Sequence, residues 1–195
     1  MLGLFYQKKG RKHMKWMIAS DLHGDAVCTA ALLKQYEASG AERLVLLGDL
    51  LYHGPRNDFP AGYAPKKVIE LLNGVKNELI CVRGNCDTEV DQMVLDFPML
   101  QDTACIFDGD RVFIAQHGHH TPPPIRQGDI LLGGHTHVPT CEMRQTESGV
   151  SYLHINPGSV SLPKEGSPKS YACIENEQLT FHTLSGDIYR REIIK

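Results

Sequence analysis

Five short segments of this 195-residue chain carry residues suited to binding metal ions. They read Asp21-Leu22-His23, Gly48-Asp49, Gly84-Asn85-Cys86-Asp87, His117-Gly118-His119-His120 and Gly134-His135-Thr136-His137. Carboxylate, amide oxygen and imidazole together suit divalent transition metals. A spacing of two, as in Asp21/His23 and His135/His137, puts both side chains on one side of an extended segment. A carboxylate such as Asp49 has two oxygens with several lone pairs and can bridge two ions. Seven hard or borderline ligands on five segments are too many for one ion and suit two that share a carboxylate. Taken singly, each segment has a plainer explanation: Asp21 as a helix cap, Gly84-Asn85 and Gly134-His135 as turns, His117 to His120 as a surface loop. Their joint occurrence argues for a metal centre.

Each segment directly follows an apolar run of strand type: Trp16 to Ala19, Leu44 to Leu47, Leu79 to Val82, Val112 to Ala115 and Ile130 to Leu132. In α/β sheets, sites gather at the carboxyl ends of parallel strands. Between the first two runs, Asp25 to Ser39 reads as a helix with Val27, Ala30, Ala31, Leu33 and Tyr36 on its apolar face and Gly40 as the stop. This strand–helix–strand order implies parallel pairing through a right-handed crossover. His53 to Pro65 is a long Pro- and Gly-containing loop, a class that is often functional. It is placed over the metals, as a selector of substrate or a subunit contact. Lys66 to Asn73 reads as a helix with Val68, Ile69, Leu71 and Leu72 inward, and Val90 to Phe97 as another.

Beyond residue 100 short strands dominate: Thr103 to Phe107, Arg111 to Gln116, Ile130 to Leu132, Thr140 to Arg144, Ser151 to Ile155, Tyr171 to Ile174, Leu179 to Thr183 and Ile188 to Ile194. The expected class is α/β, with two mixed sheets packed face to face and helices outside at least one. Asn156-Pro157-Gly158-Ser159 reads as a plain tight turn, with bracing of the site as the alternative. His154 and His182 lie in strand-like runs and read as structural.

Composition sets the bounds. The apolar fraction of 42% and charged fraction of 22% are ordinary for a globular protein. A net charge of −3 gives no case for nucleic acid or anionic membrane as partner. No apolar run approaches the roughly 20 residues of a membrane helix. Residues 1–13 are basic, too poor in apolar residues for a secretory signal, and read as a disordered extension or an upstream start. Residues 14–195 read as one domain. The six cysteines form no C-x-x-C pair and read as reduced residues of a cytoplasmic protein.

The ordered set D-x-H, G-D, G-N-x-D, H-G-H and G-H-T-H resembles the calcineurin-like metallophosphoesterase superfamily. Gly84-Asn85-Cys86-Asp87 and Asn156-Pro157-Gly158-Ser159 resemble its small bacterial and archaeal phosphodiesterase branch. The loop Asn57 to Lys67, with Tyr63-Ala64-Pro65, and Arg83 to Asp87 are most similar to enterobacterial members. The resemblance implies a four-layer αββα sandwich. It implies that Asp21, His23 and His137 hold one ion, that Asn85, His117 and His135 hold a second, and that Asp49 bridges them. Mn²⁺ is the expected metal, with Zn²⁺, Fe²⁺ or Ni²⁺ as alternatives. The implied reaction is hydrolysis of a small phosphodiester by a metal-bridging hydroxide, in a homodimer or higher homo-oligomer. A phosphomonoesterase and a non-catalytic protein-binding scaffold are the alternatives on the same fold. Arg83 and Arg56 are candidates for phosphate contact, and Arg83 is equally a surface ion pair. Relatives commonly carry His where this chain has Cys86, and that His serves the leaving group. Cys86 is a poor general acid, so alkoxide leaving groups are expected to be slow unless His53, His119 or a water serves, and good leaving groups are favoured.

Overall fold

A computed structural model describes residues 14–108 and 111–194. The expectation for residues 1–13 falls outside them. Fourteen elements carry the fold. They are β1 (Trp16–Ala19), α1 (Ala26–Ser39), β2 (Arg43–Leu46), α2 (Pro65–Gly74), β3 (Leu79–Cys81), α3 (Glu89–Gln92), β4 (Ala104–Asp108), β5 (Arg111–Ala115), β6 (Ile130–Leu132), β7 (Thr140–Gln145), β8 (Ser151–Asn156), β9 (Ser170–Glu175), β10 (Gln178–Thr183) and β11 (Ile188–Ile193). They form a six-stranded sheet in the order β11-β10-β9-β1-β2-β3 and a five-stranded sheet in the order β4-β5-β6-β8-β7.

Both sheets are mixed. β1, β2 and β3 pair in parallel, and β9 runs antiparallel to β1. In the other sheet β5, β6 and β8 are parallel, flanked by antiparallel β4 and β7. Side chains alternate along each strand, so one run feeds two cores. Trp16, Ile18, Val45 and Leu47 pack between the sheets with Phe113, Ile130 and Leu132. Met17, Ala19, Leu44 and Leu46 point the other way, toward Leu32 and Tyr36 of α1 and Val68 and Leu72 of α2. Burial on both faces explains why β1 and β2 are continuous apolar runs rather than alternating ones. Among the described residues the helices cover the six-stranded sheet only. Ile114, Leu131 and Tyr152 on the outside of the other sheet are covered by Ile125 from a loop.

Two helices differ from the sequence expectation. α1 buries Cys28, Thr29, Leu32 and Tyr36, while Val27 is 70% exposed. Asp25 turns the helix this way: it is the N-cap, accepts from the Cys28 amide at 3.0 Å, and its carbonyl accepts from the Thr29 hydroxyl. Gly40 ends the helix in the left-handed region, at φ 67°. The helix expected over Val90 to Phe97 is a single turn, Glu89–Gln92. The Gln92 side chain ties down the irregular stretch beyond it, donating to the carbonyls of Leu95 and Phe97 and accepting from the Met99 amide.

Candidate metal centre

The parallel strands of both sheets end along one edge, and the expected ligands leave from there. Seven non-glycine residues among those described have positive φ, and five are Asp21 (58°), His23 (47°), Asp49 (56°), His135 (65°) and His137 (63°). Left-handed backbone costs a non-glycine residue on the order of 1 kcal/mol and persists where surrounding bonds impose it. Here they do. The amides of Asp21, His23 and Gly24 donate to the carbonyls of Gly48, Asp49 and Leu50, extending the β1–β2 ladder past the strands. The Gly134 amide donates to the His117 carbonyl at 2.7 Å. A Cβ on Gly134 would stand 2.0 Å from Ser20 Oγ, and one on Gly84 2.1 Å from Asp49 Oδ1, so only glycine lets these turns close.

Three histidines are held by one ring nitrogen. Nδ1 of His23 donates to the Tyr52 carbonyl at 2.8 Å, that of His117 to Leu47 at 2.6 Å, and that of His137 to Leu162 at 2.5 Å. A backbone carbonyl can only accept, so Nδ1 carries the proton and Nε2 is left as the donor toward a metal. The three Nε2 atoms converge on two buried carboxylates. Asp21 Oδ1 lies 3.3 Å from His137 Nε2, 3.6 Å from His23 Nε2 and 4.0 Å from His117 Nε2. Asp49 Oδ2 stands between the two sides, 3.7 Å from His23 Nε2 and 3.5 Å from His117 Nε2. Asn85 Oδ1 is 3.1 Å from His117 Nε2, and the His135 ring is centred 5.1 Å from the His117 ring. Asp21/His23/His137, Asp21/Asp49/His117 and His23/Asp49/Cys86 each offer ligand atoms within 4.8 Å of one another.

The electrostatics fit a cation. Asp21 Oδ1 is fully buried and has no hydrogen-bond partner. Burial pushes the Asp21 carboxyl up, but the His137 and His23 imidazoles close to it and the charge of His117 hold it well below the usual carboxylate range. Burial pulls His117 down, and the Asp49 hydrogen bond with the Asp21 and Asp49 charges lifts it to about 9. Buried negative charge that draws protons onto neighbouring imidazoles is charge that a metal ion would neutralise.

A ring of residues holds these ligands. Asp87 accepts from the amides of Asp49 (2.8 Å), Leu50 (2.9 Å) and Gly84 (2.7 Å), tying the β2 and β3 turns together. Burial pushes its carboxyl up to about 6 despite the three amides. Asn156-Pro157-Gly158-Ser159 is more than a plain turn. Asn156 donates to the Gly134 carbonyl at 2.7 Å, and Ser159 and Ser161 donate to the Asp21 carbonyl at 2.8 and 2.9 Å. The bracing alternative is the correct one.

The centre opens into a cavity of about 440 Å³ whose wall includes His23, Asp49, Asn85, His135, His137, Arg56 and Lys164. The His53 to Pro65 loop overhangs it through Gly54, Pro55, Arg56 and Asn57. Arg83 does not line it. Its Nε donates to the Asp87 carbonyl and its Nη2 lies 3.6 Å from Glu89. Cys86 separates this cavity from a second groove of about 400 Å³, lined by Tyr52, Tyr63, Ile69, Val90 and Val94. Burial, then the Asp49 charge, pushes the Cys86 thiol up to about 12. His119 lines a third cavity of about 270 Å³ with Asp102, Gln116 and His117. Burial and the charge of His117 pull it down to about 4, and its Nδ1 is buried without a partner. His53 packs among Tyr52, Phe59 and Tyr63. Nothing local in the sequence marks Lys164 as part of this wall. Asp87 does carry a signal, its place in Gly84-Asn85-Cys86-Asp87.

Comparison with known proteins agrees with this geometry. The model of the calcineurin-like phosphoesterase superfamily domain matches residues 14–179. Phosphodiesterase YfcE of Escherichia coli strain K12 is 46% identical over 177 residues, covering 88% of this chain and 93% of the relative. A probable metallophosphoesterase of Bacillus subtilis, YsnB, is 25% identical over 182 residues, covering 86% and 88%. The solved structure of the E. coli YfcE phosphoesterase superposes with a TM-score of 0.86 at 44% identity, covering 93% of this chain and all of that one. The chain belongs to the calcineurin-like phosphoesterase superfamily.

Proposed function

We propose that this phosphoesterase is a phosphodiesterase whose seven candidate ligands, five of them buried, hold two divalent ions. One observation carries the reading: Asp49 Oδ2 sits between His23 Nε2 at 3.7 Å and His117 Nε2 at 3.5 Å, each imidazole fixed with its free nitrogen inward. Asp21, His23 and His137 hold one ion; Asn85, His117 and His135 hold the other; Asp49 serves both. Mn²⁺ suits this mixed oxygen and imidazole set. When bound, two such ions supply a hydroxide nucleophile at neutral pH and offset charge on the phosphoryl oxygens.

The chain's own residues do the rest. Asp87, Ser159, Ser161 and Asn156 hold the ligand turns, so no reorganisation is needed as charge develops. Arg83 acts through Asp87, as a positioning residue. Arg56 lines the cavity and meets substrate oxygens. Cys86 separates the centre from the more apolar groove and gives no proton readily. The half-buried imidazole of His119 stands beside His117 and His135, but pulled down to about 4 it carries no acidic proton at neutral pH and is a weak donor as well. A groove lined by tyrosine and branched aliphatic side chains and a weak general acid both favour aryl leaving groups over alkoxides.

The test compares bis(p-nitrophenyl) phosphate with p-nitrophenyl phosphate, with added Mn²⁺ and with chelator. Faster diester turnover that needs the metal is expected. Faster monoester turnover would assign a phosphomonoesterase, and inactivity in every metal tested would assign a scaffold.

A further inference from the structure

We propose that Lys164 and Arg56 form a clamp for a second anionic group, so that the physiological substrate is a phosphodiester bearing a further phosphate or carboxylate. The inference rests on the diesterase reading above and narrows its substrate class.

Both side chains line the metal cavity, and neither makes an ion pair among the described residues. They come from different walls. Arg56 lies in the loop after β2, where Asn57 Nδ2 ties the backbone to the His53 carbonyl at 2.8 Å. Lys164 lies in the segment after Ser161 that wraps His137. Its amide donates to the His137 carbonyl at 3.3 Å, and its own carbonyl accepts from the Ser167 amide at 3.0 Å and the Ser167 hydroxyl at 2.6 Å. The strand of chain that fixes a ligand histidine therefore also fixes Lys164, which no packing requirement explains because the side chain is exposed.

Charge then decides the role. Two dications less the Asp21 and Asp49 carboxylates leave two positive charges. A diester anion and an anionic nucleophile already match them. Two further unpaired cations beside a balanced centre would hold a substrate that brings more negative charge. The rest of that wall is polar or small, with Gly54, Asn57 and Thr136, so it suits a hydrated anion rather than an apolar group. The apolar groove beyond Cys86 is left for the leaving group.

Two chromogenic diesters with one leaving group test this: the p-nitrophenyl ester of thymidine 5′-phosphate, and the same compound carrying a 3′-phosphate. The Mn²⁺-loaded wild-type protein should prefer the 3′-phosphorylated ester by about tenfold in kcat/KM, expressed in KM. Lys164→Gln and Arg56→Gln should each shrink that ratio, the double variant should bring it near one, and Lys164→Arg should keep most of it. Calorimetric affinities for thymidine 3′,5′-bisphosphate relative to thymidine 5′-phosphate should follow the same order. A wild-type ratio near one, or a ratio unmoved in the double variant, overturns the clamp and leaves the diesterase reading standing. Failure to hydrolyse either ester or bis(p-nitrophenyl) phosphate in any metal overturns both.

Discussion

At the residue scale, the protonation of a few buried groups sets what the centre can do. Cys86 lies against Asp49, whose Oδ1 accepts from the Cys86 amide at 2.8 Å. A thiol pushed up to about 12 holds its proton too tightly to pass it to a leaving group at neutral pH. Cys86→His should therefore raise kcat on alkyl diesters on the order of 10²-fold, the usual size of a general-acid term, and change aryl diesters little. Equal rates on alkyl diesters in the two proteins would count against this role. His117 yields a second prediction. In the metal-free protein its folded value of about 9 stands above the ordinary 6.5, so its stabilising effect is complete below pH 6.5 and disappears as pH rises toward 9. His23 shifts the same way, whereas Asp87 changes protonation lower, between 3.8 and about 6. Thermal melts in chelator should thus show a falling Tm from pH 6.5 to 9. Mn²⁺ affinity should rise over the same interval, because the metal displaces those protons.

At the element scale, strands set the ligands' position and the turns beyond them set direction. The Asn156 to Ser161 turn reaches from β8, in the five-stranded sheet, to the Asp21 carbonyl after β1 in the other. Ser159→Ala with Ser161→Ala leaves that buried carbonyl without both donors. The expected cost is about 1–3 kcal/mol of stability, together with a 10–100-fold loss of Mn²⁺ affinity as Asp21 loosens. Denaturant melts and metal titration measure the two effects, and a pair of silent substitutions would remove the turn from the site. The strands are readable because β1, β2 and β6 are apolar runs buried on both faces, and the candidate ligand motifs are visible because they are short and local. The face of α1 is not, since its apolar residues surround the helix and its rotation follows from the Asp25 cap together with the packing of Leu32 and Tyr36 on the sheet. α3 is shorter than its sequence suggests because Val90, Met93 and Val94 look like a buried stripe yet are exposed. Lys164 carries no local signal: it reaches the metal cavity only through the path of the chain around His137.

For the molecule as a whole, the proposed centre is a staple between two sheets. Asp21, His23, Asp49 and Asn85 follow β1, β2 and β3, while His117, His135 and His137 follow β5 and β6 of the other sheet. The ring of His117 already crosses the gap to the Leu47 carbonyl. An ion held from both sides exists only while the sheets stay packed, so binding adds directly to folding free energy. At a free concentration a hundredfold above Kd, each ion contributes about 2.7 kcal/mol. For a domain of this length that corresponds to a Tm rise of roughly 5–10 °C per ion. The single tryptophan is well placed to report it. Trp16 is 1% exposed, and its ring meets Phe113 of the opposite sheet edge-on at 4.7 Å. Separation of the sheets wets Trp16, so its emission should shift to the red in the same transition that removes the far-ultraviolet circular dichroism. Mn²⁺ should move both curves up together, and chelator should return them. A Tm indifferent to every divalent metal would mean that no ion bridges the sheets, and the two-metal reading would fall with it.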